Sequence, residues 1–192
     1  MEFPEVFQRD GFDAFVGNPP YSGGSKISGV WGNDYRDYLV RFIAEREKSN
    51  ADLCGYFVLK ALTFGRPASN AGFVTTSAVG EGVTREVVLE RVCATDAIYR
   101  ANTTEIWPGA AGVTYLALWI HKGIWKGECL LDEIRVERIN AFLSEGTDTK
   151  PFVLRANEGI AYMGVQANGQ GFVLNKSEAA SILAKSDSSV KF

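Results

Sequence analysis

Phe12-Asp13-Ala14-Phe15-Val16 runs into Gly17-Asn18-Pro19-Pro20-Tyr21 near the start of the chain. The first five residues are apolar but for one acid, and Gly17 stops them. That is the pattern of a strand buried in a parallel sheet and ending in a loop. Residues 17–33 are rich in glycine, serine and proline and read as one long loop, a kind of segment that is usually functional or disordered. Asn33 is placed to cap a helix, with Asp34 and Asp37 in its first turn. Tyr35, Tyr38, Leu39, Phe42 and Ile43 then follow at helical spacing and form an apolar stripe.

Working outward, a second helix is predicted from Asp52 to about Phe64, ended by Gly65 and Pro67. Gly72–Thr76 is a strand. Thr84 caps a third helix whose Val88, Leu89 and Val92 face a core. Ala97–Arg100 is a short strand, and Val113–Ile120 is a near-continuous apolar run of the kind found in central strands. The order strand, helices, strand, helix, strand, strand is α/β grammar. After His121 the texture changes. Residues 123–150 mix turn signals with short runs such as Ile134–Ile139. From 151 onward glycines punctuate short apolar runs, as in small antiparallel strands or an extended arm, and Ser177 caps a last helix to about Lys185.

The 192 residues are enough for one compact domain. An apolar fraction of 46% with 22% charged residues excludes collagen, bulk disorder and a coiled coil. With a net charge of −3 the whole chain is no polyanion clamp, so nucleic-acid binding must be local or come from further parts of a larger protein. No apolar run is long enough to span a membrane, the N-terminus lacks a signal-peptide core, and a cytoplasmic location is expected. Cys54, Cys93 and Cys129 form no Cys-x-x-Cys pair and read as buried reduced thiols rather than metal ligands. The lone His121 reads as structural, which weighs against a Ser-His-Asp hydrolase.

The tetrapeptide Asn18-Pro19-Pro20-Tyr21 carries the chemistry. An exocyclic amine such as adenine N6 is a poor nucleophile because its lone pair is conjugated into the ring. To attack a methyl group it must become tetrahedral. Two acceptors set at its two N–H bonds favour that change and stabilise the positive charge that develops. The side-chain oxygen of Asn18 can be one acceptor, and the Pro19 carbonyl the other. Proline fixes φ near −65° and so holds that carbonyl before the reaction. Tyr21 offers a flat face to a base taken out of the stack, worth about 1–3 kcal/mol. The end of such a strand is also where open α/β sheets bind ligands.

This stretch resembles the catalytic motif of amino-group DNA methyltransferases that act on adenine N6. "DAFVGNPPYSGG", "ADLCGYFVLKALTF", "GFVTTSAVGEGVTREVVLERV" and "IWPGAAGVTYLALWIHKG" resemble successive motifs of the MmeI-like subgroup, methylases fused to type II restriction enzymes, and of related phage-defence methylases. "NEGIAYMGVQANGQGFVLNKSEA" is similar to the segment leading toward their target-recognition domain. The resemblance implies an α/β fold, half of a Rossmann-like methyltransferase sheet with flanking helices, over residues 1–122. It implies a small mixed extension over 123–192. The implied cofactor is S-adenosylmethionine, and the implied partners are double-stranded DNA with a flipped adenine and the remainder of a larger polypeptide. Asn18, Pro19, Pro20 and Tyr21 become the catalytic set. Phe57 matches the aromatic that packs near the cofactor's adenine, though it reads equally as a core residue of an apolar helix. Thr75, Thr76 and Ser77 end a strand on the ligand face, and Arg85 is a candidate phosphate contact or a solvated helix arginine.

The family's cofactor signature is a glycine-rich turn after a first strand, with an acid ending the second. Only 17 residues precede Asn18. The clusters Ser22-Gly23-Gly24 and Val79-Gly80-Glu81-Gly82 are read as lacking the strand-to-helix context. The chain is therefore expected to be a piece of a larger enzyme that alone binds the cofactor weakly or not at all. A half-sheet exposes an edge and an apolar face, so dimerisation through the edge or coverage by a helix is expected. Two alternatives stand beside this reading. One is a non-catalytic DNA-binding or assembly module on the same fold. The other is a protein glutamine methyltransferase, against which the 22–48 segment lacks the acidic Glu-Pro stretch.

Overall fold

A computed structural model describes residues 2–45, 50–107, 114–147, 155, 159 and 175–177. The chain divides into two units, Met1–Thr149 and Lys150–Phe192. The first opens with a short helix α1 (Pro4–Phe7) and strand β1 (Phe12–Gly17). Helices α2 (Gly24–Trp31) and α3 (Asn33–Tyr38) follow, then a π-helical turn at Leu39–Ile43. Helix α4 (Leu53–Phe64) runs directly into β2 (Gly65–Thr75), and α5 (Gly82–Thr95) into β3 (Ala97–Ile106). The unit finishes with β4 (Thr114–His121), β5 (Cys129–Leu131) and β6 (Ile134–Val136).

The six strands form one mixed sheet in the order β1-β2-β4-β3-β5-β6. β1 and β2 are parallel, and β4 lies antiparallel between β2 and β3. The apolar run at 113–120 is thus central, as its composition demands, but it runs against its neighbours. Only seven residues separate β3 from β4 along the chain. Pairing Thr75 with Leu116, Phe73 with Leu118 and Ala71 with Ile120 puts one apolar set on one face. There it meets Val58, Leu59 and Leu62 of α4 and Val87, Val88 and Val92 of α5 in a single core. Leu118 and Ile120 are fully buried, each worth about 1.5–3 kcal/mol. The other face carries Ala14, Val16, Gly72, Val74 and Trp119. Among the described residues no helix covers it, and Val16 on the edge strand is 92% exposed.

Three local departures from the sequence pattern have physical causes. Residues 24–31, expected as loop, are helix α2, although glycine and serine are weak helix formers. Burial of Ile27 and close backbone packing of Gly24 override that preference. Asn33 is the first helical residue of α3, and Gly32 occupies the cap position. The stripe over 35–43 holds only in part. The π turn adds a residue to the spacing, so Val40 and Ala44 join Leu39 and Ile43 inside while Phe42 turns out to 70% exposure. In the second unit, Asn175 Oδ1 accepts hydrogen bonds from Ser177 N (3.0 Å) and Ser177 Oγ (2.6 Å), so Asn175 stands in the capping role expected of Ser177. The expected strands from 151 and the rest of that helix lie outside the described residues.

Candidate active site

The corner at residues 18–21 sits where β1 ends, at the sheet edge. Asn18 and Pro20 are exposed and Pro19 is buried, so the proline pair is anchored on one side and the asparagine faces out. The Tyr21 hydroxyl meets two acceptors, Asn18 Oδ1 and, at 3.0 Å, the Val74 carbonyl of β2. One phenol proton serves both. The tyrosine thereby bridges the ends of two parallel strands and fixes the asparagine carboxamide, while its ring stays 44% exposed. Burial of the hydroxyl, and then the nearby Cys54 and Asp52, push the Tyr21 pKa up, so it keeps its proton at neutral pH.

The chain after Tyr21 is pinned to the start of α4. Ser22 N donates to Asp52 Oδ1 at 3.3 Å, and Leu53 N donates to the Ser22 carbonyl at 2.9 Å. Asp52 is the N-cap of α4, accepting from Cys54 N at 3.0 Å. Its own N–H donates to Thr84 Oγ1 of α5 at 2.9 Å. Thr84 therefore supports Asp52, two residues inside α5, rather than capping that helix. The role of Asp52 was left unread in the sequence, and that of Thr84 was read as a cap. The N-cap pattern before an apolar helix was the available signal for Asp52, and Thr84 gave none beyond its type.

Other candidates fall elsewhere. Thr75 is fully buried and donates from Oγ1 to the Leu116 carbonyl at 3.1 Å, which makes it a strand-locking residue. Thr76 is half-buried and Ser77 exposed at the open end of β2. Arg85 is neither solvated nor free for a phosphate. It is buried, pairs with Glu90 at 3.0 Å and lies 4.1 Å over the Phe142 ring. His121 stands at the opposite end of the sheet, with Nδ1 3.0 Å from Asn70 Oδ1. The three cysteines are buried and form no disulfide, and no metal-binding cluster occurs among the described residues. No helix of the described residues is long and apolar enough to cross a membrane.

S-adenosylmethionine fits these residues only in part. Phe57 is on α4 with its ring 44% exposed, which makes it a surface for a flat partner rather than a core residue. Both glycine clusters do lie between a strand and a helix, contrary to the sequence reading, but each has another use. A Cβ on Gly24 would stand 2.2 Å from the Asn50 carbonyl oxygen, so this glycine permits a backbone contact. Gly82 opens α5 at φ +48°. Gly24 is thus taken up by a backbone contact and Gly82 by the turn into α5.

Residues 1–87 match the family model of the Eco57I restriction-modification methylases. Against the curated proteins the sequence finds no match. Among solved structures, the type IIL restriction-modification enzyme MmeI in complex with DNA is similar with a TM-score of 0.57 and 21% identity, over 71% of this chain and 20% of that one. The chain thus spans about a fifth of the MmeI chain, and the likeness is one of fold. A Listeria monocytogenes protein described as a class I S-adenosylmethionine-dependent methyltransferase gives 0.46 and 13% identity, over 60% of this chain and 33% of that one. A modification subunit of a type I restriction enzyme from Vibrio vulnificus gives 0.43 and 12%, over 59% and 23%. By the family match, residues 1–87 are similar to the Eco57I restriction-modification methylases, which bears out the resemblance to restriction-modification methylases read from Asn18-Pro19-Pro20-Tyr21.

Proposed function

We propose that this chain is the catalytic half of a site-specific DNA methyltransferase acting on adenine N6 in a restriction-modification or phage-defence system. The observation that supports it is the exposed Asn18 at the end of β1, its carboxamide held by Tyr21 against Val74 of the neighbouring strand. Asn18 Oδ1 accepts one N–H of a flipped adenine amine and the Pro19 carbonyl accepts the other. Pro20 keeps the corner stiff. The paired acceptors draw the nitrogen out of planarity and stabilise its developing positive charge. The exposed Tyr21 ring stacks on the base. S-adenosylmethionine, when bound, supplies the methyl group, and Phe57 is the residue of this chain proposed to meet it.

The same reading assigns residues 1–122 to the methylase half and 123–192 to an extension toward target recognition, in a cytoplasmic protein. It makes the rest of a larger polypeptide the partner that completes the cofactor site. With Gly24 taken up by a backbone contact, the chain by itself is expected to bind S-adenosylmethionine weakly, and micromolar binding by calorimetry would refute that. The function is tested by incubating the full-length protein with duplex DNA and labelled S-adenosylmethionine and analysing the nucleosides. N6-methyladenine is the expected product. Label on cytosine, on protein glutamine or nowhere would overturn the assignment, the last in favour of a non-catalytic module.

A further inference from the structure

The residue after the corner is held by more than its helix requires. An N-cap needs one acceptor for the amides of the first turn, and serine, asparagine or aspartate serve almost equally. Asp52 does this for Cys54 N at 3.0 Å, yet the same oxygen also reaches Ser22 N at 3.3 Å, 30 positions earlier in the chain. Leu53 N returns a bond to the Ser22 carbonyl at 2.9 Å, so the two segments exchange hydrogen bonds in both directions. Asp52 is 7% exposed, and burying an acid where a smaller neutral cap suffices costs desolvation. Serine carries its oxygen one bond nearer the backbone, so a serine cap is expected to stay with its own helix turn and draw away from Ser22.

Two glycines bring the parts close enough. Gly24 lets the chain following Ser22 touch the backbone of residues 50–51. At Gly55 a Cβ would stand 2.7 Å from Val88 Cγ2 and 3.1 Å from Thr84 Cγ2, so α4 and α5 approach until Thr84 Oγ1 receives the Asp52 N–H. The chain of bonds runs from α5 through Thr84 and Asp52 to Ser22, and so to Tyr21 and Asn18.

We propose that Asp52 is a positioning residue for the Asn18–Tyr21 corner, acting through Ser22 and supported by Thr84. This rests on the reading of that corner as the amine-holding site. It touches no reacting atom; it fixes where Tyr21 and Asn18 stand. A displacement of about 1 Å at such a site can cost about a hundredfold in rate.

The test compares Asp52→Asn, which retains both acceptor bonds, with Asp52→Ser, which retains the helix cap and loses Ser22. In the full-length protein, Asp52→Ser is expected to lower kcat for methyl transfer to duplex DNA by at least about tenfold. KM for DNA and the melting temperature should hold, and Asp52→Asn should restore kcat to within about threefold of the parent. Amide hydrogen exchange gives a readout independent of turnover: the Ser22 amide should exchange faster in Asp52→Ser and as in the parent in Asp52→Asn. Parental kcat in Asp52→Ser, an equal loss in both variants, or a melting temperature falling in step with kcat would overturn the proposal. If the unaltered protein transfers nothing to adenine, the reading of the corner fails on its own. The exchange rates then decide the clamp, and an unchanged Ser22 amide in Asp52→Ser overturns it.

Discussion

Asn18, Tyr21 and Asp52, at the corner after β1 and the start of α4, are each held by specific partners. The asparagine has a hydroxyl on its oxygen, the tyrosine spans two strand ends, and the aspartate ties the following backbone to a helix. Beneath them Cys54 is fully buried, its thiol pKa pushed up by burial first and then by Asp52. A thiol whose folded pKa is raised leaves stability intact below its ordinary value of 9.0 and removes it as pH rises beyond that value, because the unfolded chain ionises first. The denaturant midpoint should therefore fall between about pH 8 and pH 10, and fall less in Cys54→Ala. Equal pH dependence in the two proteins would show that Cys54 is not the source.

Among the elements, the α4 entrance organises the region. Its first turn receives Ser22, its Gly55 face admits α5, and at its far end Lys122 Nζ donates to the Leu62 and Gly65 carbonyls at 2.9 and 2.6 Å. Gly24→Ala should destabilise the protein by about 1–3 kcal/mol, since the new methyl meets backbone that cannot yield. Gly23→Ala has open space around it and should change stability by less than about 0.5 kcal/mol. Chemical denaturation of both variants checks the contrast, and equal midpoints would contradict it. At this scale the sequence was legible where periodicity was strong. The α4 bounds, the α5 core residues Val88, Leu89 and Val92, and the existence of β1 were readable from apolar spacing, but the expected burial of β1 was not met: it is the edge strand, with Asp13, Ala14 and Val16 exposed. Helix α2 was not, because its glycines and serines hide a helix that exists through Ile27 and the 50–51 contact. The outward turn of Phe42 was not, because no spacing rule announces a π turn.

Over the whole molecule, the tetrapeptide stands out in the sequence because two prolines between an asparagine and a tyrosine at a strand end form a stiff, uncommon corner. Its supports do not, because Ser22, Asp52 and Thr84 meet only through the folding of three distant segments. The antiparallel insertion of β4 was equally hidden, since a central strand has the same composition in either direction. The sheet that results ends in β1, with Val16 exposed on an apolar face. We propose that two copies of the chain pair through this edge. Sedimentation should give a dimer that Val16→Lys returns to monomer, and a monomeric parent would refute it.

The central claim is that Asn18 makes an adenine amine reactive. Methyl transfer to duplex DNA by the full-length protein should fall at least about a hundredfold in Asn18→Ala, with S-adenosylmethionine binding and melting temperature unchanged. Parental N6-methyladenine yield from Asn18→Ala would contradict the account.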